Sequence, residues 1–504
     1  MKPWASVVMA INDGPGCIQT DVFPGFITLT GESEDCLFVN VYTPQLPFPG
    51  NTNHPKLPVM VFIHGGAFLS GAGSSHTYGP EFFMAEKNIV LVSLNYRLGV
   101  LGFLSTGTED AQGNVGMKDQ VLALKWVQKE IINFGGDPSQ VTIFGESAGA
   151  GSVVLHMVSP MSKGLFHRAI AQSGTALPEW AAIDASVAVD RATRIAKSLY
   201  CNTENATTIV NCLSRMSTSA LVQATFSLIA EEKTVVVTVP VVETAKFDED
   251  VFLPDKPRNL FDNLELSSSV PLIIGVNKDE GMFFLSEDDE MYEFFDQNLQ
   301  HCLPLHVRKH STPDQREALT QKIRQFYFNN EKVDKTKLKG FVDLLGDHLF
   351  IYPTVETVRK LVEKKNYVYL YNFVHRADRY KDFWPHEVST NLGYTGVSHG
   401  EELAFLFYSD RPVQNLTDTN SDDYKTMKKM VKLWTTFARL GTPVSSTDDT
   451  IKNIQWPKVT NSKDLVHLEM DTNFRVSHDF FKERVALWDQ LTALDSSTAV
   501  KDEF

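Results

Sequence analysis

The chain has 504 residues, with 47 Lys and Arg against 62 Asp and Glu, for a net charge of −15. A hydrophobic share of 43% and a charged share of 22% are those of a soluble globular protein, and so acidic a balance disfavours nucleic acid, whose phosphates need a basic surface. No run approaches the ~18 apolar residues that span a membrane, since the richest, 88–105, is interrupted by Asn95 and Arg97.

At the amino end, MKPWASVVMAIND lacks the sustained apolar core of a secretory signal. Cys17 and Cys36 then form the first of two close-set cysteine pairs; Cys201 and Cys212 form the second, and Cys302 is odd. The pattern is compatible with disulfides in an oxidising compartment, although five buried thiols fit the same spacing. LPVMVFIH (57–64) and IVLVSLNY (89–96) read as buried strands, and the first runs into His64-Gly65-Gly66-Ala67, where small residues leave backbone N–H groups exposed. KDQVLALKWVQKEI (118–131) has apolar residues at 121, 124, 127 and 131, the spacing of an amphipathic helix.

VTIF (141–144) is again a strand, followed almost without a loop by a small-residue helix from Ala148. Between them lies Gly145-Glu146-Ser147-Ala148-Gly149. A strand, a sharp turn and a helix around Gly-x-Ser-x-Gly make a nucleophile elbow, which lifts the Ser147 hydroxyl clear of the sheet and points the Ala148 N–H at any oxyanion formed there. AIAQSG (169–174) follows, and 180–262 reads as helical insertions. VPLIIGVN (270–277) and YVYLYNFV (367–374) return to the buried-strand pattern, and MKKMVKLWTTFARL (427–440) is a helix stopped by Gly441 and Pro443. Alternating strands and helices predict a mostly parallel sheet with helices on both faces.

A serine hydroxyl needs a base, and in sheets of this kind acid and histidine follow the serine in the chain. Among the later histidines, His399 alone stands in a glycine-flanked turn before a helical pattern; His348, His375 and His386 do not. Asp279 and Glu280 both follow the 270–277 strand, at the edge where ligand sites form. The residues by themselves do not choose between these two acids. Asn205 and Asn415 open Asn-x-Thr sequons, and Lys501-Asp502-Glu503-Phe504 is close to the KDEL-type retrieval signal, with Phe for Leu.

With these pieces in place, the chain resembles the type-B carboxylesterase and cholinesterase family of α/β-hydrolases, and among its members the insect-type carboxylesterases. EDCLFVNVYTP, FGGDPSQVTIFGESAGAGSV, GNVGMKDQVLALKWV, GLFHRAIAQSG, GVNKDEG, GVSHGEEL and FARLGTP stand in family order between Pro3-Trp4 and Trp488. The resemblance implies one α/β-hydrolase domain over 1–504 that lacks the family's usual N-terminal segment. It implies a Ser147–His399–Glu280 triad, so it selects Glu280 over Asp279. It also implies oxyanion donors at Gly66, Ala67 and Ala148, an acyl pocket lined by Trp180, and disulfides Cys17–Cys36 and Cys201–Cys212.

The implied activity is hydrolysis of a small uncharged carboxyl ester through an acyl-enzyme, with no metal or organic cofactor. Ala67 stands where many relatives have a third glycine. The Cys17–Cys36 loop lacks the tryptophan with which cholinesterases bind choline, which argues against choline esters. The disulfides, the sequons and the KDEF tail point to the secretory pathway, the ER lumen or secretion, and the sequence sets no oligomeric state. Two alternatives share the fold, a slow ester-sequestering protein and a non-enzymatic adhesion protein; the intact triad disfavours the second.

Overall fold

The computed structural model describes residues 7, 9–23, 29–47, 55–234, 236–243, 250–263, 269–377, 386–409 and 418–493. Asn415 and the Lys501–Phe504 tail lie outside them. Two short pieces, β1 (Gly16–Cys17) and β2 (Glu32–Ser33), pair in parallel next to a Cys17–Cys36 disulfide. The main sheet is made of β3 (Val39–Tyr42), β4 (Leu57–Ile63), β5 (Val90–Leu94), β6 (Gly136–Glu146), β7 (Arg168–Gln172), β8 (Leu272–Asn277), β9 (Val368–Phe373), β10 (His467–Met470) and β11 (Arg475–Ser477). Its order is β11-β10-β9-β8-β7-β6-β4-β5-β3, parallel except for the edge pairs β3–β5 and β10–β11.

The side chains of β4 show why these segments are strands. Val59, Val61 and Ile63 join one apolar cluster with Val92, Val141 and Ile143, while Met60 and Phe62 join another with Leu91, Phe144 and Ile170. Successive residues therefore point to opposite faces, and both faces are covered. That is why the parallel strands read as continuous apolar runs. Helices Val115–Glu130, Ala148–Val158 and Tyr352–Glu363 cover the first face through Val121, Leu124, Val154 and Val358. Helix Asp422–Leu440 covers the second through Met430, Trp434 and Phe437. Each such side chain taken from water stabilises by roughly 1.5–3 kcal/mol as an upper bound.

The caps follow the sequence closely. Ser421 accepts the Tyr424 N–H at 3.1 Å to open the long helix, and Gly441, at φ 73°, closes it by donating to Phe437 O at 2.8 Å. The 180–262 region is helical as predicted, with Ala185–Ser198, Ala206–Leu213, Thr218–Glu232 and Pro257–Asn263. Three of these helices form a small core of their own with Ile195, Ile209, Leu221 and Leu228, next to a Cys201–Cys212 disulfide. Cys302 is a buried free thiol.

One feature of the sheet order positions the site. From β4 the chain steps outward to β5, then returns to place β6 on the opposite side of β4. Strand order reverses there, and the carboxyl ends of β4 and β6 border the crevice where α/β sheets bind ligands.

Candidate active site

The end of β6 turns directly into helix Ala148–Val158, with Ser147 as the hinge at φ 56° and ψ −122°. A non-glycine residue in that region costs on the order of 1–3 kcal/mol, strain that the surroundings must hold in place. They do so from three sides. The Ser147 N–H donates to Gln172 O on β7 at 2.9 Å, its carbonyl accepts the Gly151 N–H at 2.9 Å, and Gly174 packs so close that a Cβ there would lie 2.4 Å from Ser147 O. Both motif glycines are sterically required. A Cβ on Gly145 would sit 2.5 Å from Ile63 O, and one on Gly149 only 2.0 Å from the same oxygen.

The loop after β4 lies against this turn. A Cβ on Gly65 would meet Ser147 Cβ at 3.1 Å and Glu146 O at 2.8 Å. Gly66 has φ 101°, and Ala67 follows at φ 56° and Phe68 at φ 60°, so two non-glycine residues in succession hold left-handed backbone. Ala67, at a position where many relatives have a third glycine, therefore carries conformational strain of about 1–2 kcal/mol.

Two further residues come from distant parts of the chain. Glu280 opens a 3₁₀ turn, Glu280–Phe284, just beyond β8, where its Oε1 accepts the Asn277 N–H at 2.6 Å. His399 sits in the turn before Glu401–Phe405. Its Nδ1 lies 2.6 Å from Glu280 Oε2, and its Nε2 lies 3.1 Å from Oε1 of Glu146, the residue preceding Ser147. Asp279 turns elsewhere, accepting the Val397 N–H at 3.1 Å. The imidazole is walled by Phe350, with ring centroids 4.3 Å apart, and by the edge of Phe283 at 5.4 Å. Trp180 packs beside Phe350 at 5.9 Å and donates from Nε1 to Leu349 O at 2.8 Å. It also borders the elbow, since a Cβ on Gly151 would lie 3.2 Å from its ring.

Sequence reasoning missed the carboxyl cluster beneath the imidazole. Glu146, Glu280 and Glu402 are all buried. Glu402 accepts from Gln172 Nε2 at 3.0 Å and Asn277 Nδ2 at 2.5 Å, and Gln172 Oε1 accepts from Trp434 Nε1 at 3.1 Å. The available signal was charge inside apolar surroundings: Glu402 abuts Leu-Ala-Phe-Leu-Phe, and Glu146 ends a buried strand. Desolvation pushes Glu146 up to about 8, with Glu402 and Glu280 adding repulsion and His399 relieving it. Desolvation likewise pushes Glu402 up to about 7. Burial alone would lower His399, but the attraction of Glu146 and Glu280 outweighs it and raises His399 to about 9. A proton on Glu146 weakens the hold on the His399 proton, so the two titrate as a pair.

Of the remaining predicted residues, Asn205 is exposed and caps helix Ala206–Leu213, its Oδ1 accepting the Thr208 N–H at 2.9 Å. His348 is half-buried and pushed down to about 4 by desolvation, and His375 is bound between Asp423 and Asp471, away from Ser147. No group of three or more His, Cys, Asp or Glu among the described residues is arranged to hold a metal ion. None of the described helices is long and apolar enough to cross a membrane.

Known proteins share this arrangement of elements. The sequence model of the Carboxylesterase family matches residues 1–488. Esterase E4 of Myzus persicae is 36% identical over 453 residues, covering 88% of this chain and 78% of that protein. Juvenile hormone esterase of Tribolium castaneum is 32% identical, covering 98% of this chain and 86% of that one. Among solved structures, juvenile hormone esterase from Manduca sexta, with OTFP covalently attached, superimposes with a TM-score of 0.83 at 28% identity, covering 97% of this chain and 90% of that chain. The fold is thus the α/β-hydrolase fold, the activity is that of a serine carboxylic ester hydrolase, and the chain belongs to the Carboxylesterase family.

Proposed function

We propose that Ser147, His399 and Glu280 carry the ester hydrolysis, on small uncharged carboxyl esters. The observation that carries this reading is the placement of His399. One ring nitrogen is 2.6 Å from a buried carboxylate and the other faces the strained turn that presents Ser147. In the neutral imidazole, with Nδ1–H donating to Glu280 and the proton shared across the Nε2–Glu146 contact given up, the lone pair of Nε2 takes the Ser147 hydroxyl proton as the oxygen attacks the ester carbonyl. The Gly66, Ala67 and Ala148 N–H groups stabilise the oxyanion, and the N-terminus of helix Ala148–Val158 adds its partial positive charge. His399 then passes the proton to the departing alkoxide, leaving the acyl group on Ser147. In the second half, His399 takes a proton from water, the hydroxide attacks the acyl carbon, and Ser147 leaves with that proton.

Trp180, Phe350 and Phe284 line the acyl side in this reading, Phe284 stacking on Phe350 at 6.3 Å. Phe283 and Phe23, with centroids 5.1 Å apart, offer an apolar wall on the other side of the imidazole. An apolar, aromatic lining suits an uncharged ester. The two disulfides support passage through an oxidising, secretory compartment, with Asn205 exposed for glycosylation. The test is turnover of short-chain nitrophenyl esters together with stoichiometric labelling by an organophosphate. Ser147→Ala should abolish both, and wild-type turnover in that variant would refute the assignment.

A further inference from the structure

Each proposed oxyanion donor belongs to a rigid unit, because a peptide is planar and its N–H and C=O point in opposite directions. The Gly66 N–H shares its plane with the Gly65 carbonyl, and the Ala67 N–H shares its plane with the Gly66 carbonyl. Whatever holds the carbonyl therefore aims the N–H. The Gly66 carbonyl is held by backbone, accepting from the Leu69 and Ser70 N–H groups at 3.0 Å each and from Ser70 Oγ at 3.4 Å. The Gly65 carbonyl is held by a side chain, with His64 Nδ1 at 2.8 Å.

We propose that His64 is a positioning residue for the oxyanion site: its Nδ1–H, bonded to the Gly65 carbonyl, fixes and polarises the peptide whose N–H is the Gly66 donor. The inference rests on the oxyanion role proposed above for Gly66. The tautomer follows from geometry. His64 Nε2 is buried with no hydrogen-bond partner among the described residues, and a proton placed there would leave two lone pairs facing each other at 2.8 Å. The ring is fixed by stacking on Tyr96, centroids 4.4 Å apart and planes 17° apart, and the Tyr96 hydroxyl donates to His64 O at 3.0 Å. Burial keeps the imidazole neutral, pushing it down to about 4, so it supplies a fixed donor and no net charge.

The surroundings leave room for this bond and for little else. A Cβ on Gly71, at φ 126°, would lie 2.1 Å from His64 Nδ1 and 2.7 Å from Gly65 O. Gly71 is itself gripped by Gln19 inside the Cys17–Cys36 loop: its N–H donates to Gln19 Oε1 at 3.0 Å, and Gln19 Nε2 donates to Gly71 O at 3.3 Å and Cys17 O at 3.0 Å. The disulfide loop, Gly71, His64 and the Gly66 donor thus form one connected stack. A donor aligned through an accepted bond on the same peptide is also the stronger donor.

The test compares His64→Leu, which keeps bulk and loses the donor, with His64→Asn, whose Nδ2 takes the place of Nδ1. Both are assayed on a nitrophenyl ester, with active enzyme counted by the endpoint of organophosphate labelling, and with inhibition by an aliphatic trifluoromethyl ketone, which forms a tetrahedral adduct. His64→Leu should lower kcat by about 10–100-fold and weaken the ketone by a similar factor, since losing one oxyanion donor outright costs ~10²–10³. KM and the pH profile should stay within a factor of three of wild type. His64→Asn should recover kcat to within about fivefold. Equal behaviour of the two variants, whether both near wild type or both lowered in melting temperature and rate alike, overturns the inference. If His64→Leu fails to fold, Gly71→Ala, which blocks the same bond, must show the same loss of ketone affinity. A wild-type enzyme that binds the ketone and is silenced by Ser147→Ala, yet runs at full rate with His64→Leu, sinks this inference alone. Ser147→Ala at full turnover sinks the underlying reading instead.

Discussion

Replacing Gly149 by Ala tests whether the elbow's geometry, more than its stability, is what its glycines protect. The added Cβ would lie 2.0 Å from Ile63 O and 2.9 Å from His64 O, both backbone atoms of β4 and its loop. Carbon and oxygen approach no closer than about 3.3 Å in ordinary contacts, so the helix start must retreat by roughly 1 Å. Overpacking of this kind costs about 1–3 kcal/mol, and alanine's better helix propensity returns about 1 of it. Spread over the unfolding entropy of 504 residues, the net loss lowers the melting temperature by only about 1–3 °C. Catalysis should respond far more strongly, because a 1 Å misplacement of reacting groups costs on the order of 10²-fold. The assay is kcat/KM on a nitrophenyl ester, normalised to labelled serine, beside a thermal melt. Gly151→Ala is the control: its Cβ would come no closer than 3.2 Å to its nearest neighbour, a Trp180 ring carbon, and it should stay within tenfold of wild type. A Gly149→Ala enzyme within threefold of wild type would refute the reasoning.

Glu146→Gln removes one of the two carboxylates in contact with the His399 ring, so the acidic limb of kcat/KM should move to lower pH; an unmoved limb would show that Glu146 is not coupled to the base. Glu146 and His399 are both raised in the folded state, to about 8 and about 9, so the native state binds the extra protons and their stabilisation is lost as pH rises through that range. Urea titrations should show this contribution falling from about pH 5, above the ordinary Glu value, to about pH 9, and falling less in Glu146→Gln. Ala67→Gly should change stability by less than about 1 kcal/mol, since relief at φ 56° is offset by the greater freedom of unfolded glycine; a larger shift in the denaturation midpoint would mean that the loop is held differently. Asp347→Asn removes the buried carboxylate that binds Arg484 at 2.7 Å and leaves the guanidinium with Asp343 alone, at 3.2 Å, so the urea midpoint should report a loss of about 1–3 kcal/mol. Trp180→Ala should shift preference toward longer acyl chains, read as the ratio of kcat/KM for butyrate and octanoate esters.

The strands that bear the site were legible because parallel strands covered on both faces leave unbroken apolar runs, as 57–64 and 270–277 do. The edge strands were not. Val39–Tyr42 is only half-buried along its length, and Arg475–Ser477 is three residues with an exposed arginine, so neither carries a pattern distinct from a loop. The elbow was legible because its glycines are demanded locally. The acid was legible only through the family resemblance, because Asp279 and Glu280 are neighbours after the same strand and the residues alone do not choose between them. What separates them is which side chain faces His399, a contact across 119 positions of sequence. The parts played by Glu402 and His64 were illegible for a related reason. Each acts through the interior, where a polar residue leaves no local signature until its neighbours are known.

The order of strands around β6 also has a stereochemical consequence. The glycine loop descends from β4 on one side of the Ser147 strand, while Glu280 follows β8 and His399 follows β9 on the other. Under the proposed mechanism the carbonyl oxygen must swing toward β4 and the departing alcohol toward β8, with Ser147 approaching along a third direction. Three fixed directions around one carbon define a handedness. Only one of the two faces of the carbonyl can therefore meet the hydroxyl, and an ester with a stereocentre beside that carbon offers its mirror images unequally to the enzyme. A racemic substrate should be resolved, with one enantiomer left behind.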